Sequence, residues 1–486
     1  MNIPSRESYL HLSQRYNLIP VYREINADLD TPISIYKKIK PKGPAYLLES
    51  VEGGENLARY SFIGFDPFLN FISRGEESLI TGGGRGKTVR GLPLESLEKV
   101  MSGFKVHQDP ILPRFYGGAV GYISYDAVRF FERIEMSRRS IPDLPDCNFI
   151  FAGTVLIFDH VKRTLTIIIN SLPGGNPEKA YAKAQEKIEK VIRAVRSSFS
   201  TRNKNQKQSF VNESVEVNIT KEEFMEKVAR AKEYIKAGDI LQVVLSRRIK
   251  VPFQGEPFDV YRRLRAINPS PYLYYLNFGD AVVVGSSPEM LVRVEDGSIE
   301  TCPIAGTRPR GVDLNEDAAF AMDLLRDAKE RAEHLMLVDL GRNDLGKVCE
   351  TGSVRVVRFM EVEKFSHVMH LVSNVRGNLA AGKNCLDALK ACFPAGTVTG
   401  APKVRAMEII NEMEPEGRGI YAGAIGYFGF SGNMDTAIAI RTVIINRGNA
   451  FVQAGAGIVA DSDPEREYEE VMNKARALLN TLGEVG

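Results

Sequence analysis

Between residues 45 and 170, apolar and polar positions alternate as in strands, and helix-like periods appear mainly later. Residues 1–40 mix the two types, with Pro20, Pro32 and Pro41 interrupting any long helix. AYLLES (45–50) reads as a short buried strand ending in polar residues, and SFIGFDPFLNFIS (61–73) as a strand pair around Asp66-Pro67. Gly82-Gly83-Gly84 predicts a turn, not a phosphate loop, because no Lys-Ser/Thr and helix follow it. In GGAVGY (117–122) glycine in a strand context predicts close backbone packing. TVLIFDH and TLTIIIN (154–170) predict a hairpin across Val161–Arg163, and Asn176–Arg196 a helix with Pro177 in its first turn.

Ser197–Ser214 is polar and poor in apolar anchors, the best linker in the chain. It divides an N-terminal region, 1–205, from a C-terminal one, 215–486. The second region opens with a capping box, Thr220-x-x-Glu223, before a helix to about Lys236 that Gly238 stops. ILQVVLSRRIKV (240–251) predicts a strand, 257–267 a helix, and 272–294 successive strands. Asp317–Leu340 predicts one helix, followed by a loop at Gly341–Asp344. SHVMHLVSNVRGNL (366–379) predicts a strand, and Asn384–Cys392 and Ala401–Asn411 helices, with Pro402 in a first turn and Thr399 as its cap. YAGAIGYFGF, TAIAIRTVIINRG and AFVQAGAGIVA predict three more strands, and Glu465–Leu482 a closing helix. Helices and β-meanders do not alternate strictly, so the fold class is α+β with large, mostly antiparallel sheets.

Composition narrows the function. The 486 residues carry a net charge of +2, which gives no support for a nucleic-acid or membrane surface. No apolar run approaches the ~18 residues of a membrane span, and MNIPSRESYLHL lacks the apolar core of a secretory signal. Cys147, Cys302, Cys349, Cys385 and Cys392 are scattered without a CxxC, as expected of small buried side chains in a reducing cytoplasm.

Candidate chemistry lies in the second region. Glu330 and Glu333, and again Glu467 and Glu470, stand three residues apart, so each pair shares a helix face with side chains roughly 5–6 Å apart. Brought together, the pairs would form an all-oxygen site for a hard cation such as Mg2+. Solvated faces with this spacing are common, so spacing alone leaves both readings open. Gly306-Thr307, in IAGTR, offers a hydroxyl and backbone donors in a tight turn suited to a carboxylate, or merely a turn. Gly455-Ala456-Gly457, after a strand, would let an anionic ligand approach the backbone. Arg441 in AIAIRTVII needs an anion, either a bound carboxylate or an internal partner. His370 is a hydrogen-bonded strand residue or an acid/base, and with His367 a metal site is conceivable, although no third soft ligand is apparent.

The runs PIAGTRPRG, DAKERAEHLMLVDLGRNDLGKV, FSHVMHLVSNVRG, PAGTVTGAPKVRAMEII, YAGAIGYF and QAGAGIVADSDPEREYEEVMNKA resemble the chorismate-utilising enzymes, and within them the anthranilate synthase component I family. The resemblance spans the second region in order, and it implies a layered sheet core with helices outside. It also implies Mg2+ held by Glu333 and Glu470 with Glu330 and Glu467 supporting, and chorismate cradled by Gly306, Thr307, Tyr421, Arg441, Gly455, Ala456 and Gly457. Glu289 in SSPEML becomes the general acid, with His370 and Thr397 at the reacting centre. LLES and NPSPYLYY are similar to the two walls of a tryptophan feedback site, here Ser50 with Pro271, Tyr272 and Leu273. Leu273 departs from the common Met, which bears on inhibitor affinity. Gln242 replaces the Lys of water-adding relatives, and Ala305 the Lys of aminodeoxychorismate synthases, so ammonia attack giving anthranilate and pyruvate is implied. An aminodeoxychorismate synthase component, or a catalytically silent tryptophan binder, are the alternatives. No cysteine sits in a glutaminase context, so the resemblance implies a separate glutamine amidotransferase subunit, in a heterotetramer, as ammonia source.

Overall fold

Alternate side chains of single strands feed different apolar cores, which fixes the layering. In the strand Cys147–Asp159, Phe149 and Phe151 enter one core while Ile150 and Ala152 enter another. The strand Ala281–Ser287 does the same, with Val283 inward and Val282 and Val284 toward the helices. One core is made mainly of strand side chains from both regions, including Tyr46, Phe62, Tyr274 and Tyr427. Two others lie between sheet and outer helices. This computed structural model describes residues 2–50, 59–136, 138–197, 215–365 and 368–483. Every ladder between named strands is antiparallel. No helix among the described residues is long and apolar enough to cross a membrane. The predicted linker lies outside the described residues from 198 to 214, as does His367.

Strands of the two regions share ladders. Ala45–Glu49 lies between Tyr60–Arg74 and Tyr272–Asn277, and Gly118–Ile123 between Cys147–Asp159 and Ala424–Gly429. The α+β, mostly antiparallel reading holds, as do the Thr220 capping box and the stop at Gly238, which adopts φ +81°.

Several local expectations are corrected. Residues 60–74 form one strand rather than two, because the break at Asp66 (φ +52°) is absorbed as a register shift against Cys147–Asp159. The acid-bearing stretch is two helices, Leu314–Arg326 and Ala328–Gly346, divided at Asp327, whose carboxylate accepts from the amides of Lys329 and Glu330. The second runs through the supposed loop at Gly341–Asp344, since Lys403 at 2.7 Å and Lys347 at 3.2 Å anchor the buried Asp344. Ile304–Pro309 is a strand with a bulge at Gly306 (φ +70°), and Gly455–Gly457 lie within the strand Asn449–Ile458 rather than after it. Pro402 caps Lys403–Met413, while the Thr399 hydroxyl donates to the Ala395 carbonyl at 2.8 Å. Arg441 lies in no strand: it breaks TAIAIRTVII into Met434–Ile438 and Thr442–Asn446 at φ +52°.

Candidate active site and effector pocket

A cavity of about 500 Å³ lies where two acid-bearing helices meet a two-stranded wall. The wall is the ladder between Gln242–Pro252 and Asn449–Ile458, in which Val244 opposes Gly457 and Ser246 opposes Gly455. Gly455 and Gly457 face the cavity, and a Cβ on either would lie 2.7 Å from Tyr421 Oη or 2.5 Å from Gln242 Nε2. Ala456 points the other way, fully buried in the apolar core, as alternation along a strand requires. Its side chain therefore takes no part in the cradle.

Helix Ala328–Gly346 presents Glu330 and Glu333 to the cavity, and helix Pro464–Leu479 presents Glu467 and Glu470. Burial raises the pKa of Glu333, and the neighbouring charges of Glu330 and Glu470 add to that rise against Lys329 and Gln242. Burial also raises Glu467, with the Ser462 hydroxyl opposing. Glu330 is paired with Arg308 at 3.2 Å and Glu470 with Lys474 at 2.7 Å. Among the described residues no three acidic, His or Cys side chains form a ready metal shell. The donor chemistry nevertheless fits a hard divalent cation: all ligands are carboxylate oxygens, and two of them, Glu333 and Glu467, are destabilised as anions by burial and by the charge of Glu470. Lys329 and Lys474, also on the cavity wall, escaped the sequence reading; the i,i+4 spacing of Glu470 and Lys474 was the available signal.

The remaining candidates line the same space, except His370, which does not reach its wall. Arg441 lines it with no ion pair to any described residue, and burial lowers its pKa while Tyr421 and Glu470 oppose that shift. Burial pushes the nearby Tyr421 up to about 12. His370 stands behind the bulge: its Nδ1 is 2.8 Å from the Gly306 carbonyl and 3.1 Å from Thr307 Oγ1. Nδ1–H donating to that carbonyl leaves Nε2 as an acceptor. Burial lowers the His370 pKa, so the ring is neutral at pH 7. Glu289 and Thr397 share the cavity wall; burial pushes Glu289 up to about 8, with the Thr397 hydroxyl pulling the other way. A carboxyl with that pKa is mostly protonated at neutral pH.

A separate pocket of about 60 Å³ gathers Ser50, Pro271, Tyr272 and Leu273. The pairing of Ala45–Glu49 with Tyr272–Asn277 brings the two motifs together. The sequence reading missed Arg293 and Asp435, which form its polar floor: they pair at 3.0 Å, and Tyr272 Oη donates to Asp435 at 2.9 Å. Neither had a spacing or motif to mark it.

Residues 43–480 match the family described as chorismate binding enzyme. Anthranilate synthase component 1 of Acetivibrio thermocellus is 50% identical over 493 aligned residues, covering 100% of this chain and 99% of that protein. Anthranilate synthase component 1 of Aquifex aeolicus is 48% identical, covering 98% and 97%. The crystal structure of anthranilate synthase component I from Streptococcus pneumoniae TIGR4 superimposes with a TM-score of 0.79 at 40% identity, covering 93% of this chain and 98% of that one. The menaquinone-specific isochorismate synthase of Escherichia coli, at 20% identity and a TM-score of 0.71, shares the fold. With a match over nearly its whole length and relatives of one kind at up to half identity, the chain belongs to the chorismate binding enzymes, alongside the anthranilate synthase component 1 proteins.

Proposed function

We infer that this chain is the aminating component of an anthranilate synthase, turning chorismate and ammonia into anthranilate and pyruvate. One observation supports this above the rest: a single cavity combines an Arg441 with no ion pair to any described residue, four glutamates and a Glu289 that holds its proton at neutral pH. Chorismate needs those groups, since it carries two carboxylates, an enol ether and a ring hydroxyl that must leave.

Arg441 and Tyr421 bind the enolpyruvyl carboxylate, and the Gly306–Thr307 bulge with the Gly455 and Gly457 backbone cradles the ring. Glu333 and Glu470, supported by Glu330 and Glu467, would hold Mg2+, which when bound supplies positive charge for the ring carboxylate. Ammonia forms a bond to the ring carbon beside the carboxylate-bearing one. Glu289 gives its proton to the ring hydroxyl, whose C–O bond breaks so that water departs. Loss of a ring proton and of the enolpyruvyl group as pyruvate then aromatises the ring. Neutral His370, steadied by Gly306 and Thr307, and Thr397 stand beside these steps. Gln242 has no basic nitrogen to activate water, and Ala305 has no amine for covalent attack on the ring.

The name component 1 fits a partner, here a glutamine amidotransferase, because ammonia in neutral water is mostly protonated and non-nucleophilic. The small pocket, built from both regions, takes tryptophan as feedback inhibitor: residues 1–205 supply the Ser50 motif, and 215–486 supply its other wall and the chorismate-binding cavity. Incubation with chorismate, a concentrated ammonium salt and Mg2+ at about pH 8, where part of the ammonium is free ammonia and part of Glu289 still holds its proton, tests the reading. Anthranilate and pyruvate are expected, aminodeoxychorismate without anthranilate would overturn it, and a chelator should abolish turnover.

A further inference from the structure

A second, smaller cavity of about 50 Å³ lies behind the first and shares Glu289, Leu337 and Thr397 with it. Its remaining walls include Thr301, Cys302, Gly341 and Asp344. Helix Ala328–Gly346 borders both spaces along one face, with Glu333 and Leu337 in front and Gly341 and Asp344 behind. At 1.5 Å per residue that stripe is about 16 Å long.

The rear chamber sets a few polar groups into a mostly apolar lining that includes Met290, Leu291, Leu340 and Ile438. Thr301 is 7% exposed, and its hydroxyl oxygen is buried without a hydrogen bond to any described residue. A buried hydroxyl left in that state costs about 1–3 kcal/mol, and ordered water is the ordinary remedy. The volume suffices, since one water needs about 10–15 Å³. Cys302 faces the same acid: its thiol is pushed up to about 12, first by burial and then by the charges of Glu363, Glu300 and Glu289. At the outer end Asp344 is paired with Lys347, whose side chain is 53% exposed.

We propose that the rear chamber is a hydrated proton inlet to Glu289, with Thr301 as the residue that positions its water. The proposal rests on Glu289 being the acid of the amination. Each turnover transfers the Glu289 proton to the departing hydroxyl and leaves a carboxylate in the wall. A water held by Thr301 returns a proton to that carboxylate, and solvent beyond the Asp344–Lys347 pair replaces the proton on the water. Substrate and product fill the front cavity at that moment, so resupply from behind does not wait for their release.

Thr301→Val removes the hydroxyl at nearly constant shape. Gly341→Ala fills the chamber, since its Cβ would lie 3.1 Å from Thr301 Oγ1 and 3.6 Å from the Pro303 ring, and Ala suits a helix better than Gly. With the full chain and ammonium as nitrogen source, each variant should lower kcat roughly tenfold. KM for chorismate should stay unchanged and the solvent deuterium isotope effect on kcat should rise, while Thr301→Ser restores both. Ordered water bonded to Thr301 Oγ1 in a high-resolution crystal structure would support the inlet, and a dry chamber would overturn it. Parental kcat and isotope effect in Thr301→Val, alongside an inactive Glu289→Gln, would overturn the inlet alone. A fully active Glu289→Gln would remove the acid and its inlet together.

Discussion

In the large cavity Arg441 has no carboxylate partner among the described residues, whereas Arg293 beside the small pocket is spanned by Asp435 at 3.0 Å and Tyr272 Oη at 3.2 Å. The acids differ in the same way. Glu333 and Glu467 resist ionisation where they stand, while Asp435 is satisfied from two sides. A region with unmatched charges is prepared for a ligand that brings the missing ones, and a region whose charges cancel selects by shape. The backbone repeats the contrast. Arg441 sits at φ +52° between strands, a position where β-branched or bulky residues are strained, while Arg293 is a regular strand residue.

The contrast is tested hardest at Glu289. Glu289→Gln should reduce kcat by about 10²–10⁴, the usual worth of a general acid. Because burial raises Glu289 to about 8, the active protonated form is lost as pH rises through that value. The parent kcat should therefore fall above about pH 8, and the variant should lack that limb in a pH–rate profile. Next comes Arg293→Met, which leaves the buried Asp435 with only Tyr272 Oη at 2.9 Å and the more distant Arg114 at 3.8 Å, and should destabilise the fold by about 3–5 kcal/mol in denaturant titration. Arg441→Ala should instead lower kcat/KM by about 2–5 kcal/mol with Tm unchanged or raised, since it leaves no carboxylate among the described residues without its ion-pair partner. Equal loss of stability in both arginine variants would erase the distinction. The smallest effect belongs to Ser50→Phe, which should weaken tryptophan inhibition by at least about tenfold, or 1.4 kcal/mol, while sparing turnover. The chain has no Trp, so bound tryptophan can be followed by its own fluorescence.

The strand-rich architecture was legible because alternation is written locally, and Thr220 and Glu223 announce their helix within four residues. The acid pairs were legible as helix faces, and the family motifs tied them to one site. What stayed hidden depends on distant partners. Nothing near Gly341–Asp344 announces that Lys403 will hold Asp344 in a helix. Nothing in the apolar run around Arg441 marks a strand break, since Ile440 and Thr442 have strong strand preferences. The edge strand Arg355–Lys364 was unforeseen: its positions alternate only between exposed and half-buried, and two register shifts, one across Met360 (φ +51°), disturb its pairing. Arg293 and Asp435 look like ordinary strand charges until their strands are laid side by side.

The ladders shared across the polar 198–214 segment bear on how the protein is made. A ribosome releasing the first 197 residues has produced Ala45–Glu49 and Gly118–Ile123 with one flank each still bare, awaiting strands encoded more than a hundred residues downstream. Fragments expressed separately should therefore clump unless mixed while nascent, and co-expression of the two pieces should recover a single nicked particle.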